Sequence, residues 1–117
     1  PYMNIPIGTT GFGISCTINT ISNTLCSQIY ISNNKGAFKA FENEKGKIEN
    51  EFGEKLNWEL LPLKAASRIA IYRPDSMLDE EDDWNNMIDW LIMKAEKLYS
   101  VFSHRIKNLE LDELEQD

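Results

Sequence analysis

The sequence lacks charge at its start and is poor in the side chains that build most catalytic and metal sites. Residues 1–34 contain no Asp, Glu, Lys or Arg, and the whole chain has one histidine and two cysteines. These three side chains are too few for a typical zinc site. With His104 as the one imidazole, no histidine-based catalytic pair is indicated by spacing. We therefore predict no metal site, no cofactor and no enzymatic role for this chain.

Long apolar runs are also absent. No run approaches the ~20 residues that a membrane-spanning helix requires, and no basic segment precedes an apolar stretch as in a secretory signal. We therefore expect a cytoplasmic protein without membrane contact, in which both thiols stay reduced. Because the chain begins at Pro1 and soon enters a predicted strand, we expect it to be a piece of a longer protein.

The net charge of the chain is negative, and the surplus of acidic residues lies in its last third. The net charge is −7, and residues 79–117 carry twelve acids against four bases. This surplus repels phosphate backbones and argues against nucleic-acid binding by bulk charge. The five consecutive acids Asp79–Asp83 favour the start of a helix, because carboxylates stabilise the positive end of the helix dipole. A calcium site is disfavoured, since the ligand spacing of a calcium loop is missing.

Two segments in the middle of the chain predict a hairpin around which the fold is organised. Apolar and polar residues alternate in Leu56–Leu61 and in Ser67–Arg73, as in strands with one buried face. A single antiparallel register puts the apolar residues on one face and an acid–base pair on the other. The predicted opposite pairs are Leu56 with Ile71, Trp58 with Ile69, Glu59 with Arg68, and Leu60 with Ser67.

The uncharged start of the chain predicts a second hairpin. Residues 12–19 and 25–31 alternate in the same way around a turn near Thr20–Asn23. The register that aligns their apolar residues places Cys16 and Cys26 on opposite faces, where a disulfide cannot form. The predicted pairs are Ile14 with Ile29, Cys16 with Ser27, and Ile18 with Leu25.

Two helices complete the predicted fold. The first runs over Lys35–Phe52, capped by Asn33 or Asn34 and ended by a glycine, and the second over about Asp82–Leu109. The acidic tail 110–117 is expected to fray. We predict one α+β domain over residues 1–117, a two-layer sandwich of order ββαββα. Its four-stranded antiparallel sheet carries both helices on one face.

The other face of the predicted sheet is the best candidate for a functional surface. It combines small hydrogen-bonding groups with tyrosine and arginine, which interfaces favour, although a merely solvated face remains open. We expect a protein partner or a second copy of the chain. The alternative is a nucleic-acid strand stacked on the tyrosines, with the arginine on phosphate. The candidate residues are Thr17, Gln28, Tyr30, Glu59, Arg68 and Tyr72.

The chain also resembles a bacterial and archaeal family, the domain of unknown function 4268. The matching segments include Thr10-Gly11-Phe12, Thr17-Ile18-Asn19-Thr20, Ile29-Tyr30-Ile31, Leu61-Pro62, Ala66-Ser67-Arg68-Ile69, Trp90-Leu91 and Arg105-Ile106-Lys107. The resemblance implies a C-terminal domain that follows a region similar to PD-(D/E)XK nucleases, and a link to DNA restriction or defence. It supplies no catalytic residues.

The nuclease activity itself is not expected of these residues. A PD-(D/E)XK core needs an Asp or Glu two positions before a lysine. No Asp or Glu in this chain has a lysine at that offset. We therefore expect a non-catalytic accessory or interaction domain of a nuclease-like protein. Nucleic-acid contact would occur only through the full-length protein.

Overall fold

The structure, a computed structural model, describes residues 2–76, 78 and 81–115. It contains five strands and three α-helices, and a 3-10 turn at Glu81–Asp83 leads into the last helix. The elements are β1 (Tyr2–Pro6), β2 (Phe12–Asn19), β3 (Thr24–Ile31), α1 (Lys35–Glu42), α2 (Lys45–Phe52), β4 (Asn57–Glu59), β5 (Ser67–Arg73) and α3 (Trp84–Glu115).

The strands form one antiparallel sheet in the order β1-β2-β3-β5-β4. The α+β class and the antiparallel sheet are confirmed, but the predicted count of four strands and the order ββαββα are wrong. The missed strand, β1, is five residues long and ends at Pro6. The sequence signal for it is weakened by this proline, which strands tolerate at edges, and the strand is seen through its pairing with β2.

The predicted registers of both hairpins are confirmed where the strands pair. Trp58 lies opposite Ile69 and Glu59 opposite Arg68. In the first hairpin, all three predicted pairs are present. The strand β4 is shorter than predicted, so the outer pairs made by Leu56 and Leu60 fall outside it. Leu61 has a φ of 53°, which turns the chain out of the strand just before Pro62.

The helix predicted over residues 35–52 is two helices, so the described residues form three α-helices instead of the predicted two. Asn34 caps α1 by accepting a hydrogen bond from the Ala37 N–H at 3.0 Å, and Gly53 ends α2 with a φ of 92°. Both ends were predicted. The break lies at residues 43–44, where the Glu44 N–H bonds the Phe41 carbonyl at 2.9 Å in a tight three-residue step.

The helix α3 differs from its prediction at both ends. It begins at Trp84, after the acidic 3-10 turn, and continues to Glu115 instead of ending near Leu109. Three acids of the predicted acidic start thus stand directly before the helix, while positions 79 and 80 lie outside the described residues. The frayed tail over 110–117 stays a prediction, and positions 116 and 117 are also outside the description.

The hydrophobic core lies between one face of the sheet and the helices. Phe41 of α1 packs edge-to-face on Phe102 of α3, with ring centroids 5.4 Å apart. The buried hydroxyl of Ser27 on β3 donates to the Leu91 carbonyl of α3 at 3.0 Å. The core includes Ile14, Cys16, Leu25, Ile29, Ile69 and Ile71 from the sheet and Phe38, Phe41, Ile48, Phe52, Leu98 and Phe102 from the helices. We call the opposite side of the sheet the open face.

Lys35 holds the loop between β4 and β5. Its ammonium donates to the backbone carbonyls of Leu60, Leu61 and Ala66, at 3.1 Å for Leu61. These three loop carbonyls would be paired with a neighbouring strand if they lay in the sheet, and here the lysine ammonium satisfies them instead. The loop therefore depends on the first residue of α1.

Replacing this lysine tests its role in the loop. We expect Lys35→Met to lower the free energy of unfolding by about 2 kcal/mol, because hydrogen bonds to a charged group are lost. The matched control is Lys39→Met, which changes an exposed lysine of the same helix and should change stability by less than about 0.5 kcal/mol. Urea denaturation of both variants measures the difference, and equal losses would contradict this role of Lys35.

Glu49 of α2 fixes the start of β4. Its Oε2 accepts hydrogen bonds from the Leu56 N–H at 2.7 Å and from the Trp58 indole N–H at 3.2 Å. Burial is the largest single influence and opposes the charged form, but the bonds from Leu56 and Trp58 and the charges of two nearby lysines together outweigh it. The pKa of Glu49 is therefore held below its ordinary value of 4.5.

This lowered pKa predicts how stability responds to acid. A carboxylate with a lower pKa in the folded state stabilises the fold above pH 4.5, and that contribution is lost as the pH falls through the folded pKa. We expect the Glu49→Gln variant to be less stable than the natural sequence near neutral pH, by about 1 kcal/mol or less. Below pH 4.5 the gap should close. Urea midpoints across this pH range measure it, and a constant gap would contradict the assignment.

Candidate functional site

The strand pairing places all six candidate residues on the open face. Side chains directly opposite one another in neighbouring strands point to the same side of a sheet. The cross-strand neighbours are Thr17 with Cys26, Cys26 with Tyr72, Gln28 with Ala70, Tyr30 with Arg68, and Arg68 with Glu59. The face thus gathers residues from β2, β3, β4 and β5. That they bind a partner remains a prediction.

The carboxylate of Glu59 joins two of these residues. Its Oε1 accepts from the Arg68 Nε at 3.0 Å, and its Oε2 accepts from the Tyr72 hydroxyl at 2.5 Å. Ala70 is the residue between Arg68 and Tyr72 on this side of β5, so no long side chain separates them. We refer to Glu59, Arg68 and Tyr72 as the Glu59 triad.

The sequence predicted only part of the triad. The pair of Glu59 with Arg68 follows from the register, whereas the bond from Tyr72 was missed because it does not join directly opposite residues. A signal for it exists in the sequence. A small residue, Ala70, with long polar residues two positions away on each side leaves room for those side chains to converge.

Two groups on this face, the Tyr72 hydroxyl and the Cys26 thiol, stay protonated at neutral pH. Burial, followed by the hydrogen bond to Glu59, raises the pKa of Tyr72 above the ordinary value of a tyrosine. Burial raises the pKa of the Cys26 thiol to about 11. A protonated thiol is a poor nucleophile, since the thiolate is the reactive form. Neither group is therefore suited to nucleophilic chemistry at neutral pH, and Cys26 is in addition buried.

The open face is close to neutral. Among the described strand residues that point to this side, Glu59 and Arg68 carry the charge, and they are paired with each other. The remaining polar groups are hydroxyls and amides. One of them, the Ser15 hydroxyl, donates to the Asn4 side-chain oxygen at 2.8 Å. A neutral face repels neither an acidic nor a basic partner.

Two shallow depressions mark the face. One, of about 380 Å³, lies along the first hairpin and reaches the triad; its lining includes Thr17, Asn19, Thr24, Cys26, Gln28, Arg68 and Tyr72. The other, of about 310 Å³, lies at the opposite end of the hairpin, and Tyr30 forms part of its wall. The Tyr30 side chain is 41% exposed. It is therefore the large aromatic side chain that this face offers to a partner.

The two cysteines lie on opposite faces of the sheet, as predicted. Cys16 faces the helices, with its sulfur 3.8 Å from the Leu91 carbonyl, while Cys26 is on the open face, and both are free. His104 is exposed on α3. Within residues 2–76, 78 and 81–115, no cluster of three or more potential metal ligands is found. No helix in this described part is long and apolar enough to cross a membrane.

The raised pKa of Tyr72 can be tested by titration. We expect NMR signals of the tyrosine Cζ carbons to show that Tyr72 remains protonated above the ordinary tyrosine pKa. In Glu59→Gln the pKa of Tyr72 should fall, though not fully, because burial remains. Glu51→Gln, which removes an acid on the helix side of the molecule, is the matched control. An unchanged Tyr72 titration in Glu59→Gln would contradict the triad.

Comparison with known proteins identifies the family of the chain. The model of a family described as "Domain of unknown function (DUF4268)" matches residues 1–106 of the 117. Neither the curated proteins nor the solved structures gave a match. The matched residues include all five strands, both short helices and most of α3. The chain therefore belongs to the DUF4268 family.

Proposed function

We propose that this domain is a non-catalytic interaction domain whose open face binds a protein, a second copy of the chain being the first candidate. The observation that carries the proposal is the Glu59 triad, which holds a tyrosine and an arginine in place on a neutral face. Tyrosine and arginine are enriched in protein interfaces and among their strongest contributors to affinity.

The triad also lowers the cost of binding. Arg68 and Tyr72 are already held by Glu59, so a partner does not have to immobilise two free side chains. Tyr30 lies beside Arg68 across the strand pair and remains available for contact. A fixed polar centre next to an exposed aromatic ring is an arrangement suited to protein recognition.

The setting in which the domain works is part of the proposal. As the resemblance implies, it would follow a nuclease-like region in a restriction or defence protein and serve that protein as an accessory domain. The chain itself has no acid two positions before a lysine, which the nuclease core requires. Any catalytic step would thus belong to the preceding region, and this domain would contribute docking or self-association.

Nucleic-acid contact is the second candidate function. It would stack bases on Tyr30 and Tyr72 and place phosphate on Arg68. Two features of the face weigh against it. Glu59 neutralises Arg68, and the Tyr72 hydroxyl is bonded to the same carboxylate. Single-strand binding usually needs a positively charged groove, whereas the charges of this face cancel.

Self-association through the open face gives the first test. We expect the mass from light scattering to rise with protein concentration and the dissociation constant to increase at least about tenfold in Tyr30→Ser, as for a residue central to an interface. Tyr99→Ser is a closely matched control, because Tyr99 is 45% exposed, compared with 41% for Tyr30, but lies on α3. It should associate like the natural sequence.

Two outcomes would count against the proposal. If the measured mass equals that of the monomer at all concentrations, the partner is not a second copy. If the two tyrosine variants change the dissociation constant equally, the open face is not the interface. Tight binding of a single-stranded oligonucleotide with strong salt dependence would favour nucleic-acid contact instead.

A further inference from the structure

A second surface, separate from the open face, is left uncovered at one edge of the sheet. The strand β1 is an edge strand, and Met3 points to the helix-covered side, opposite Cys16. The Met3 side chain is nevertheless 48% exposed. The helices therefore leave Met3 in contact with water, whereas Ile5 of the same strand is partly buried against the core.

A groove runs between β1 and α3. It has a volume of about 410 Å³. Its floor is formed by Ile5 and Ile14 of the sheet, and its wall by Ile92 and Tyr99 of α3, with Glu96 at the rim. We call this the edge groove. An apolar groove with a polar rim is typical of a binding surface.

The wall of the edge groove continues along α3. Trp84, Ile88, Ile92 and Tyr99 are spaced by four, four and seven residues, which puts them on one flank of the helix. Each is between 40% and 48% exposed. Four large apolar side chains on one exposed flank are more than the single exposed residues that a soluble surface normally carries.

The charge around the groove is of one sign. Asp89 and Glu96 are exposed next to the apolar flank. The two lysines of this part of α3 point elsewhere: the ammonium groups of Lys94 and Lys97 lie 5.8 Å and 5.6 Å from the centre of the Phe52 ring on α2. On the sheet side, β1 and β2 carry no charge. The edge groove is therefore apolar with an acidic rim.

This charge pattern selects the kind of occupant. A second copy of the chain would bring the same acids together, and phosphate groups of nucleic acid or anionic lipid would be repelled. A basic partner would be attracted. Lysine and arginine also have long apolar stems, which can lie along isoleucine and tyrosine while their charged ends reach Glu96.

The backbone of β1 adds a means of attachment. In the described part of the chain β1 pairs with β2 on one side, and the other side has no neighbouring strand. Exposed edges of this kind accept an extended peptide as an additional strand. Alternate side chains of the added strand would then point over Met3 and Ile5, toward the flank of α3.

We propose that β1 and the edge groove bind an extended segment of a partner protein by strand addition, with apolar residues and lysine or arginine toward α3. The backbone of β1 provides the attachment, the groove accepts the apolar side chains, and Asp89 and Glu96 select the basic ones. This site is independent of the open face and would take a different partner.

Peptide binding tests the proposal. The probe is a short synthetic peptide of alternating strand pattern containing valine, threonine and lysine, added to the isotope-labelled chain and followed by NMR. We expect amide signals of Met3, Asn4 and Ile5 to shift together with those near Ile92. Replacing the lysines of the peptide by glutamates should weaken binding at least about tenfold. Methylating the backbone nitrogens of the lysine peptide should also weaken it, because strand addition is blocked.

A pair of protein variants separates the groove from bulk charge. Glu96→Lys should weaken binding of the lysine peptide about two- to fivefold, because the attraction of an exposed ion pair is lost. Glu42→Lys makes the same charge change at an exposed site on α1 and should have little effect.

Four results would overturn the proposal. They are equal affinity for the lysine and glutamate peptides, equal effects of the two variants, shifts confined to another surface, and no saturation up to about 1 mM peptide. A β1 signal that moves with the concentration of the protein alone would replace the partner with a second copy.

Discussion

The register between β4 and β5 is the constraint on which both sides of the domain depend. With Trp58 opposite Ile69, the indole packs edge-to-face on Phe38 in the core, with centroids 6.1 Å apart. The same register puts Glu59 beside Arg68 on the open face. A shift of one residue would turn each of these side chains to the wrong side of the sheet. Core packing and the Glu59 triad are thus fixed together.

Two side chains from the helices hold the chain on either side of the short strand β4. Because β4 has only three residues, its own ladder is weak. Glu49 holds the chain where it enters β4, and Lys35 holds the loop that follows it. The ion pairs of α3, such as that of Arg105 with Glu51, join this helix to α2 instead. Charged residues therefore position the elements, while the sheet faces themselves stay nearly uncharged.

The sequence was most informative where a local pattern is compatible with a single strand register or a single helix end. Alternation gave the registers of both hairpins, and Asn34 and Gly53 gave the ends of the first helical segment. Features that depend on tertiary contacts were not predictable in this way. The strand β1 is identified by its pairing with β2, and the break at residues 43–44 lies inside a segment whose apolar spacing predicts one helix. In the candidate site, the hydrogen bond from Tyr72 to Glu59 was not predicted, because these two residues are not directly opposite each other in the sheet.

We propose that this domain associates through the open face and not through the helix layer. A concentration series of NMR spectra of the isotope-labelled chain tests it most directly. We predict that amide signals of Thr17, Gln28, Tyr30 and Arg68 shift progressively with concentration, while those of α1 and α2 stay fixed. Signals that do not move, or that move only on the helices or at the edge groove, would contradict the claim.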